Sequence, residues 1–337
     1  MTTHILKRKG LGASAIVLSA ALALSACSSG TAPAPTGGGV KVTKLAYIVK
    51  FGTAPYFIAE NSGVQSKSAE LGITTTTTDV ADKSDAAIAA VDTSIGLGAQ
   101  GLIVVAPNQD LGPVILTKAA KAGIPVIAVD DPLKDTDGKF TPFVGFDAEA
   151  IGTQVGEELG KLVNEAKIDA ADIKIASVED QKTPVCMTRN NAAQAALAKA
   201  VPGISDANVI HIPYNNDLNS AITAVAPIVT SNPDVKYWLS YSCNDDGVLG
   251  AWRAFAAQGF PADRFFGVGL GGAYACQAFA EKSSGFRATY YIDSAVHGQK
   301  AVQELYDFLK NGTAIPEKTI IPGTLIDVKN FADIAKC

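Results

Sequence analysis

Polar side chains stand directly after several apolar runs of the chain. Lys50 follows one run, Asp130 and Asp131 follow another, and Asn244 follows a third. Arg189 lies in the loop-to-helix region behind a further run. Sugar hydroxyls both donate and accept hydrogen bonds, and carboxylate, guanidinium and amide groups can each bond two neighbouring groups. These residue types together therefore suit a polyol, and the nearby rings of Tyr56 and Phe57 could pack on the apolar faces of a sugar.

Each of these residues also has a simpler interpretation. Lys50 could be a solvated side chain at a strand end, and Arg189 could lie on the surface of a helix. Asp130 with Asp131, and Asn244 with Asp245, could serve only as turns or caps of the elements that follow. Tyr56 and Phe57 could be anchors of the hydrophobic core. The polyol interpretation therefore depends on several of these residues meeting in one place.

The elements that must position these residues alternate between strands and helices. Short apolar runs separated by helical stretches predict parallel sheets covered on both faces. The pattern restarts near Phe143, so we expect an α/β fold of two doubly wound, Rossmann-like lobes. Chain crossings between the lobes are predicted near Asp147, Asp293 and Pro316. In such sheets the ligand lies beyond the carboxyl ends of the strands, which places the site in a cleft between the lobes.

Length and composition agree with two globular domains. The chain has 337 residues, of which 47% are hydrophobic and 18% charged. Acidic residues outnumber basic ones, 33 to 28, which gives a net charge of −5. This composition carries no basic footprint for nucleic acid or for an anionic membrane surface. It leaves open whether the protein is an enzyme or a binding protein.

The first residues predict export and lipidation. Lys7, Arg8 and Lys9 precede a short apolar run that ends in Leu-Ser-Ala-Cys at Cys27. This pattern resembles a bacterial lipoprotein signal, so residues 1–26 are predicted to be a signal peptide and Cys27 the lipidated residue. Residues 27–40 would be the anchor and a flexible tether. An ordinary signal peptide with an incidental cysteine is the alternative.

Four further cysteines, Cys186, Cys243, Cys276 and Cys337, follow the predicted anchor. An even number in an oxidising compartment allows two disulfides, with three possible pairings. Free thiols are the alternative, and the sequence does not decide between them.

Two kinds of enzyme compete with a binding protein. Gly267, Gly269 and Gly272 match the G-x-G-x-x-G fingerprint of a nicotinamide-dependent enzyme, with Asp293 downstream. However, Gly267 is predicted to lie inside a strand, and an exported chain meets no nicotinamide pool. A glycosidase needs two facing carboxylates, whereas neighbours such as Asp130 and Asp131 point to opposite sides of an extended chain. We therefore expect no catalysis, no cofactor and no metal.

Several segments resemble a known family. They are LAYIVK with the following PYF, IPVIAVDDP, the stretch around Arg189, NPDVKYWLSYSCNDDGVLGAWRA and VHGQKA. These segments are similar to the bacterial L-arabinose-binding proteins, extracytoplasmic receptors of sugar ABC importers in the ribose/galactose-binding group. The resemblance covers most of residues 41–331. It implies the type I periplasmic binding protein fold, in which a three-crossing hinge joins the lobes.

The resemblance also assigns roles to residues of the site. It implies that Lys50, Asp130, Asp131 and Asn244 contact the sugar, and that Arg189 reaches the ring oxygen. The ligand-binding set predicted in this way is Lys50, Tyr56, Phe57, Asp130, Asp131, Phe146, Arg189, Asn244 and Gly271.

The chain departs from the family pattern at a few of these positions. A glutamate contact of the family is replaced by Ala54, and an asparagine contact by Gly271. Phe146 and Cys243 occupy positions that look like methionines of the family pocket. Lost polar contacts of this kind are each worth roughly 1–3 kcal/mol, so the ligand class is a firmer prediction than arabinose itself.

The resemblance implies a monomeric lipoprotein that binds a monosaccharide and delivers it to an ABC permease driven by a separate ATPase. A sugar alcohol, a furanose or a signalling molecule is the alternative ligand on the same fold. The predicted N-terminal lobe spans 41–147 and 294–318, and the C-terminal lobe spans 148–293 and 319–337.

Overall fold

The computed structural model describes residues 38–281 and 284–335. The predicted signal peptide and the lipidation of Cys27 lie outside these residues. In the described part of the chain, no helix has both the length and the apolar character needed to cross a bilayer.

Twelve strands are found among the described residues. They are β1 Lys44–Val49, β2 Thr74–Asp79, β3 Leu102–Val104, β4 Val126–Val129, β5 Phe143–Gly145, β6 Ile173–Glu179, β7 Val209–Pro213, β8 Tyr237–Ser242, β9 Phe265–Gly271, β10 Phe286–Tyr291, β11 Lys318–Ile320 and β12 Thr324–Asp327.

Ten α-helices accompany these strands in the described residues. They are α1 Pro55–Glu70, α2 Ser84–Gly96, α3 Gly112–Lys121, α4 Ala148–Ala166, α5 Pro184–Ala200, α6 Leu218–Ser231, α7 Asp245–Ala257, α8 Ala275–Ala280, α9 Ser294–Asn311 and α10 Phe331–Ile334.

The strands form two sheets with the same winding. The first has the order β11-β5-β4-β3-β1-β2, and all its neighbours are parallel. The second has the order β12-β10-β9-β8-β6-β7, in which only β12 runs antiparallel to its neighbour. Central strands such as β4 and β9 are buried along their whole length, because helices cover both faces of each sheet. The predicted fold of two doubly wound α/β lobes is therefore confirmed.

The chain passes between the sheets three times. The passages lie between β5 and α4, between β10 and α9, and between β11 and β12. Helix α4 packs on α5 of the second sheet, and α9 packs on α1 of the first. Strand β11, Lys318–Ile320, pairs with β5 and so belongs to the first sheet. The lobe boundary predicted after residue 318 falls within this strand, and the third passage lies a few residues later than the prediction near Pro316.

Helices α1 and α9 approach each other at glycine positions. A Cβ on Gly63 would collide with the carbonyl oxygen of Ala295, and one on Gly298 would collide with the carbonyl oxygen of Glu60. Only glycine permits this close backbone contact. The contact fixes the start of α9, and with it His297, against the first turns of α1.

The glycine-rich segment that matches a dinucleotide fingerprint lies mostly within a strand. Gly267 and Gly269 belong to β9, and Gly272 directly follows that strand. A dinucleotide-binding loop requires these glycines at the turn from a strand into a helix. The expectation that Gly267 lies inside a strand is confirmed, and the fingerprint does not have the required context.

Candidate functional site

A cavity of about 510 Å³ lies at the carboxyl ends of strands from both sheets. Its walls include residues that follow β1 and β4 of the first sheet and β8 of the second. The structure brings together all nine residues of the predicted ligand-binding set. These residues, which all line the cavity, are Lys50, Tyr56, Phe57, Asp130, Asp131, Phe146, Arg189, Asn244 and Gly271.

Lys50 and Asp131 form a buried ion pair in the cavity wall. Lys50 follows β1 and Asp131 follows β4, and the Lys50 ammonium donates to Oδ2 of Asp131 over 2.5 Å. Their side chains are only 9% and 3% exposed. The alternative of a solvated lysine is therefore wrong. The pair fixes one carboxylate oxygen of Asp131 and leaves the other available to a hydroxyl donor.

Asp130 lies next to Asp131 but has different partners. Its backbone adopts a left-handed conformation with φ of 59°, a conformation that aspartate tolerates better than most residues. Oδ1 accepts a hydrogen bond from the Tyr56 hydroxyl at 2.8 Å and lies 3.0 Å from Nδ1 of His297. Burial alone would raise the pKa of Asp130, but the hydrogen bond and charge of His297, together with hydrogen bonds from Glu60 and Tyr56, lower the pKa to about 2. Asp130 is therefore ionised.

A second carboxyl group, Glu60, lies buried behind Asp130. The Tyr47 hydroxyl donates to Oε1 of Glu60 over 2.6 Å. Burial, followed by the neighbouring charge of Asp130, raises the pKa of Glu60 well above its usual range. A neutral Glu60 avoids placing two like charges side by side in a poorly solvated place.

Glu60, Asp130 and His297 could together offer three ligand atoms to a metal ion, since these atoms lie within 4.8 Å of one another. Glu60 and His297 do not line the cavity. Asp130 already bonds His297 and Tyr56, so the cluster has the character of a hydrogen-bond network that orients Asp130. Neither Glu60 nor His297 belongs to the predicted ligand-binding set, and His297 is 167 residues from Asp130 along the chain.

Arg189 supplies a buried cation from the other lobe. It belongs to α5, and its guanidinium lies 4.5 Å from the centre of the Phe146 ring. Burial lowers its pKa, and no carboxylate among the described residues forms an ion pair with it. Its Nε group is buried without a hydrogen-bond partner. The alternative of a surface arginine is wrong, and the group retains hydrogen-bonding capacity that a ligand could use.

A disulfide forms part of the same wall. Cys186 and Cys243 are bonded, although they are 57 residues apart in the chain. Both line the cavity, and the Arg189 guanidinium donates to the carbonyl oxygen of Cys243 over 3.0 Å. Of the three pairings that the sequence allowed, the structure contains one with Cys186 bonded to Cys243. Cys276 is disulfide-bonded as well.

Asn244 caps a helix, as one of the two interpretations of the sequence proposed, and it also lines the cavity. Its Oδ1 accepts from the backbone of Gly247, which caps α7, and also from the Tyr214 hydroxyl at 2.8 Å. Its Nδ2 donates to Oδ1 of Asn216 over 2.7 Å. Asn244 therefore lines the cavity as the centre of a small amide network and also caps the helix.

The loop that follows β7 contributes polar residues to the cavity that are not in the predicted ligand-binding set. Asn215, Asn216 and Asp217 line the cavity, and Asp217 also caps α6. The rule that found the other residues would have found these, since they follow a strand of the second sheet.

Two carboxyl groups, the buried Asp245 and the partly buried Asp246, line the second wall. Asp245 accepts from the Thr289 hydroxyl at 2.6 Å, and Asp246 accepts from the Tyr274 hydroxyl at 3.0 Å. Burial raises the pKa of Asp245 to about 7, and it raises the pKa of Asp246 to about 6. Near neutral pH these two groups can therefore act as donors as well as acceptors.

Comparisons with known proteins agree with this fold. A family described as the periplasmic binding protein domain matches residues 45–313. The match covers most of the chain, which therefore belongs to the periplasmic binding protein family. The type I fold expected from the sequence resemblance is confirmed.

Two curated relatives are L-arabinose-binding periplasmic proteins. The relative from Azospirillum brasilense, an ABC transporter protein, is 29% identical over 297 residues, which are 86% of this chain and 87% of that protein. The relative from Escherichia coli is 28% identical over 296 residues, 86% of this chain and 89% of that protein. The resemblance stated from the sequence is thus confirmed.

Solved structures show the same fold at lower identity. The myo-inositol binding protein of Caulobacter has a TM-score of 0.76 and 19% identity, over 89% of this chain and 98% of that one. The arabinose transporter component of Shewanella, bound to L-arabinofuranose, has a TM-score of 0.72 and 18% identity, over 86% and 93% of the two chains. At these identities the likeness extends to the fold alone.

Proposed function

We propose that this protein is an extracytoplasmic receptor that binds a monosaccharide-type sugar between its lobes and delivers it to an ABC importer. The observation that carries the proposal is one cavity with complementary groups on its two walls. Asp131, paired with Lys50, stands on the first wall, and the unpaired cation of Arg189 stands on the second. A ring with hydroxyls on both sides can bond both walls at once.

The strength of these groups is sufficient for a sugar receptor. A micromolar affinity requires about −8 kcal/mol. Hydrogen bonds to charged groups contribute roughly 1.5–3 kcal/mol each. The carboxylate of Asp131, the ionised Asp130 and the guanidinium of Arg189 would supply several of them, and the ring of Phe146 would pack on an apolar face of the sugar.

The proposed mechanism is capture without chemistry. A ligand that bridges the lobes binds the closed arrangement better than the open one, and therefore shifts the population toward closure. Three chain passages between the sheets would act as the hinge. Asp130 and Asp131 are engaged with His297 and Lys50, so we assign them to ligand binding and not to acid–base catalysis.

The proposed location follows from the sequence and the family. We propose that the signal sequence directs export, that Cys27 carries a lipid, and that the tether before residue 41 leaves the receptor outside the cytoplasmic membrane. The Cys186–Cys243 disulfide supports an oxidising compartment. The closed receptor, a monomer, would dock on a permease that a separate ATPase drives.

A thermal-shift screen tests the proposal. The panel consists of L-arabinose, D-ribose, D-galactose and myo-inositol, the last because a protein of the same fold binds it. A ligand at about 1,000 times its Kd adds roughly 4 kcal/mol to the free energy of unfolding. We expect at least one member to raise the melting temperature of the wild type. A panel with no effect would overturn the proposal for these ligand types.

A matched pair of variants locates the site. Arg189→Ala removes the cation of the cavity, and Arg264→Ala removes an exposed arginine outside it. At the same ligand concentration the shift should be clearly smaller in the first variant and unchanged in the second. A shift of wild-type size in Arg189→Ala would show that the ligand binds elsewhere.

A further inference from the structure

The Cys186–Cys243 disulfide connects the two elements that hold Arg189. Cys186 lies in the first turn of α5, and Cys243 directly follows β8. Both side chains are buried, at 3% and 1% exposure, and both line the cavity. The bond therefore lies inside the site and not at the periphery of the lobe.

Arg189 and the disulfide form a closed ring of contacts. Arg189 follows Cys186 by three residues, so the two side chains share one face of α5. Its guanidinium donates to the carbonyl oxygen of Cys243 over 3.0 Å and lies 3.3 Å from the Cys243 sulfur. Helix α5 holds the backbone end of the Arg189 side chain, and the hydrogen bond to Cys243 holds the guanidinium. The disulfide connects these two points of attachment.

The guanidinium also makes a cation–π contact. The ring of Phe146 lies 4.5 Å from its central carbon. No carboxylate among the described residues forms an ion pair with Arg189. The backbone carbonyl at Cys243 is thus the main polar support of this buried cation, and its position depends on where β8 ends relative to α5.

We propose that the Cys186–Cys243 disulfide is a positioning element of the binding site, which holds Arg189 ready for the ligand. A site whose long side chains are already ordered does not lose their conformational freedom on binding. Without the bond, the first turn of α5 and the end of β8 can separate, and Arg189 must be ordered by the ligand. This inference rests on the proposed sugar-binding function, which it deepens.

Calorimetric titration of the four panel sugars measures the effect. We expect Cys186→Ala/Cys243→Ala to bind roughly threefold to tenfold more weakly than the wild type, the loss that ordering one long side chain produces. Cys276→Ser removes a disulfide-bonded cysteine that does not line the cavity, and it should change the affinity by less than about twofold. An unchanged affinity in the double variant would overturn the proposal.

A double-mutant cycle separates positioning from general stability. Arg189→Lys keeps the charge but lacks the planar group that bonds the Cys243 carbonyl. If the disulfide acts through Arg189, removal of the disulfide should weaken binding by less than about twofold in the Arg189→Lys background. An equal loss in both backgrounds would show that the bond acts through something other than Arg189.

A ligand-free measurement keeps this inference distinct from the proposed function. In NMR spectra of protein with labelled arginine, Arg189 of the wild type should show separate signals for its guanidinium nitrogens, because rotation is restricted. The double alanine variant should show averaged signals, and identical spectra would overturn the proposal. If no panel sugar binds the wild type, the proposed function fails while these spectra still decide the positioning role.

Reduction provides a second route if the double alanine variant does not fold. Dithiothreitol transfers two electrons and two protons to the disulfide, which leaves two thiols and oxidised dithiothreitol. The Cys276→Ser protein, reduced in this way, should show the averaged Arg189 signals and the weaker binding. Alkylation confirms that Cys186 and Cys243 are free thiols after reduction. If the reduced protein then keeps the wild-type spectrum, the proposal is overturned.

Discussion

The ammonium of Lys50 lies 2.5 Å from the carboxylate of Asp131, and both groups are almost completely buried at the edge of the cavity. The two residues are 81 positions apart and meet because β1 and β4 end at the same edge of the first sheet. The pair therefore contributes to the stability of this lobe and also orients the Asp131 carboxylate in the site.

Breaking this pair should destabilise the ligand-free protein strongly. Asp131→Asn leaves Lys50 as an uncompensated buried charge, which typically costs 3–5 kcal/mol. Urea unfolding without ligand measures the change. Asp92→Asn breaks the exposed pair with Lys118 and should cost less than about 1 kcal/mol. Equal effects of the two substitutions would mean that the Lys50–Asp131 pair is not buried as described.

The buried carboxyl group of Asp245 should make stability fall as the pH rises. Burial raises its pKa in the folded state from an ordinary 3.8 to about 7. The folded state therefore binds more protons than the unfolded state between about pH 4 and pH 7, and the free energy of unfolding decreases over that range. The raised pKa corresponds to a loss of roughly 4 kcal/mol in the free energy of unfolding as the pH rises. Asp245→Asn should abolish this pH-dependent loss.

Urea unfolding of the wild type and Asp245→Asn at pH 4.5 and at pH 8 tests this expectation. The variant should gain stability relative to the wild type as the pH rises. Asp137→Asn, at an exposed position, controls for the change in net charge. A constant difference between wild type and Asp245→Asn at both pH values would refute the assignment.

Glu60 should behave as a neutral group. Its pKa is raised, first by burial and then by the charge of Asp130, and this favours the protonated, neutral form. Glu60→Gln also carries no charge and can accept from Tyr47, so we expect a loss below about 1 kcal/mol at pH 7. Glu60→Ala leaves the buried Tyr47 hydroxyl without its partner and should cost about 1–3 kcal/mol more. Equal losses in thermal or urea unfolding would contradict a neutral Glu60.

The contact of α1 with α9 should not tolerate a methyl group. Gly63→Ala places a Cβ against the carbonyl oxygen of Ala295, and such overpacking typically costs 1–3 kcal/mol. Gly96→Ala, in α2, meets open space and should instead stabilise the protein by about 0.4–1 kcal/mol. Urea unfolding distinguishes the two. A Gly63→Ala variant as stable as the wild type would show that the two helices can move apart without a loss of stability.

The sequence predicted the part of the site that follows from strand ends. Lys50, Asp131 and Asn244 were found because parallel strands bring the residues after them to a common edge. Asn215 and Asn216 follow β7 and obey the same rule, although the predicted set does not contain them.

Other features could not be obtained from the sequence in this way. Glu60 lies in the second turn of α1 and meets Asp130 only through tertiary packing. The pairing of Cys186 with Cys243 depends on how α5 lies beside the end of β8, which no spacing along the chain determines. Both features support a residue that the sequence did identify.

Titration calorimetry of the panel sugars against the wild type, Arg189→Ala and Arg264→Ala tests the central claim most directly. The account predicts saturable binding of at least one sugar to the wild type and to Arg264→Ala. It predicts an affinity lower by about tenfold to a hundredfold in Arg189→Ala, the loss expected for one hydrogen bond to a charged group. No binding by the wild type, or equal affinity in all three proteins, would contradict a sugar site in the cavity between the lobes.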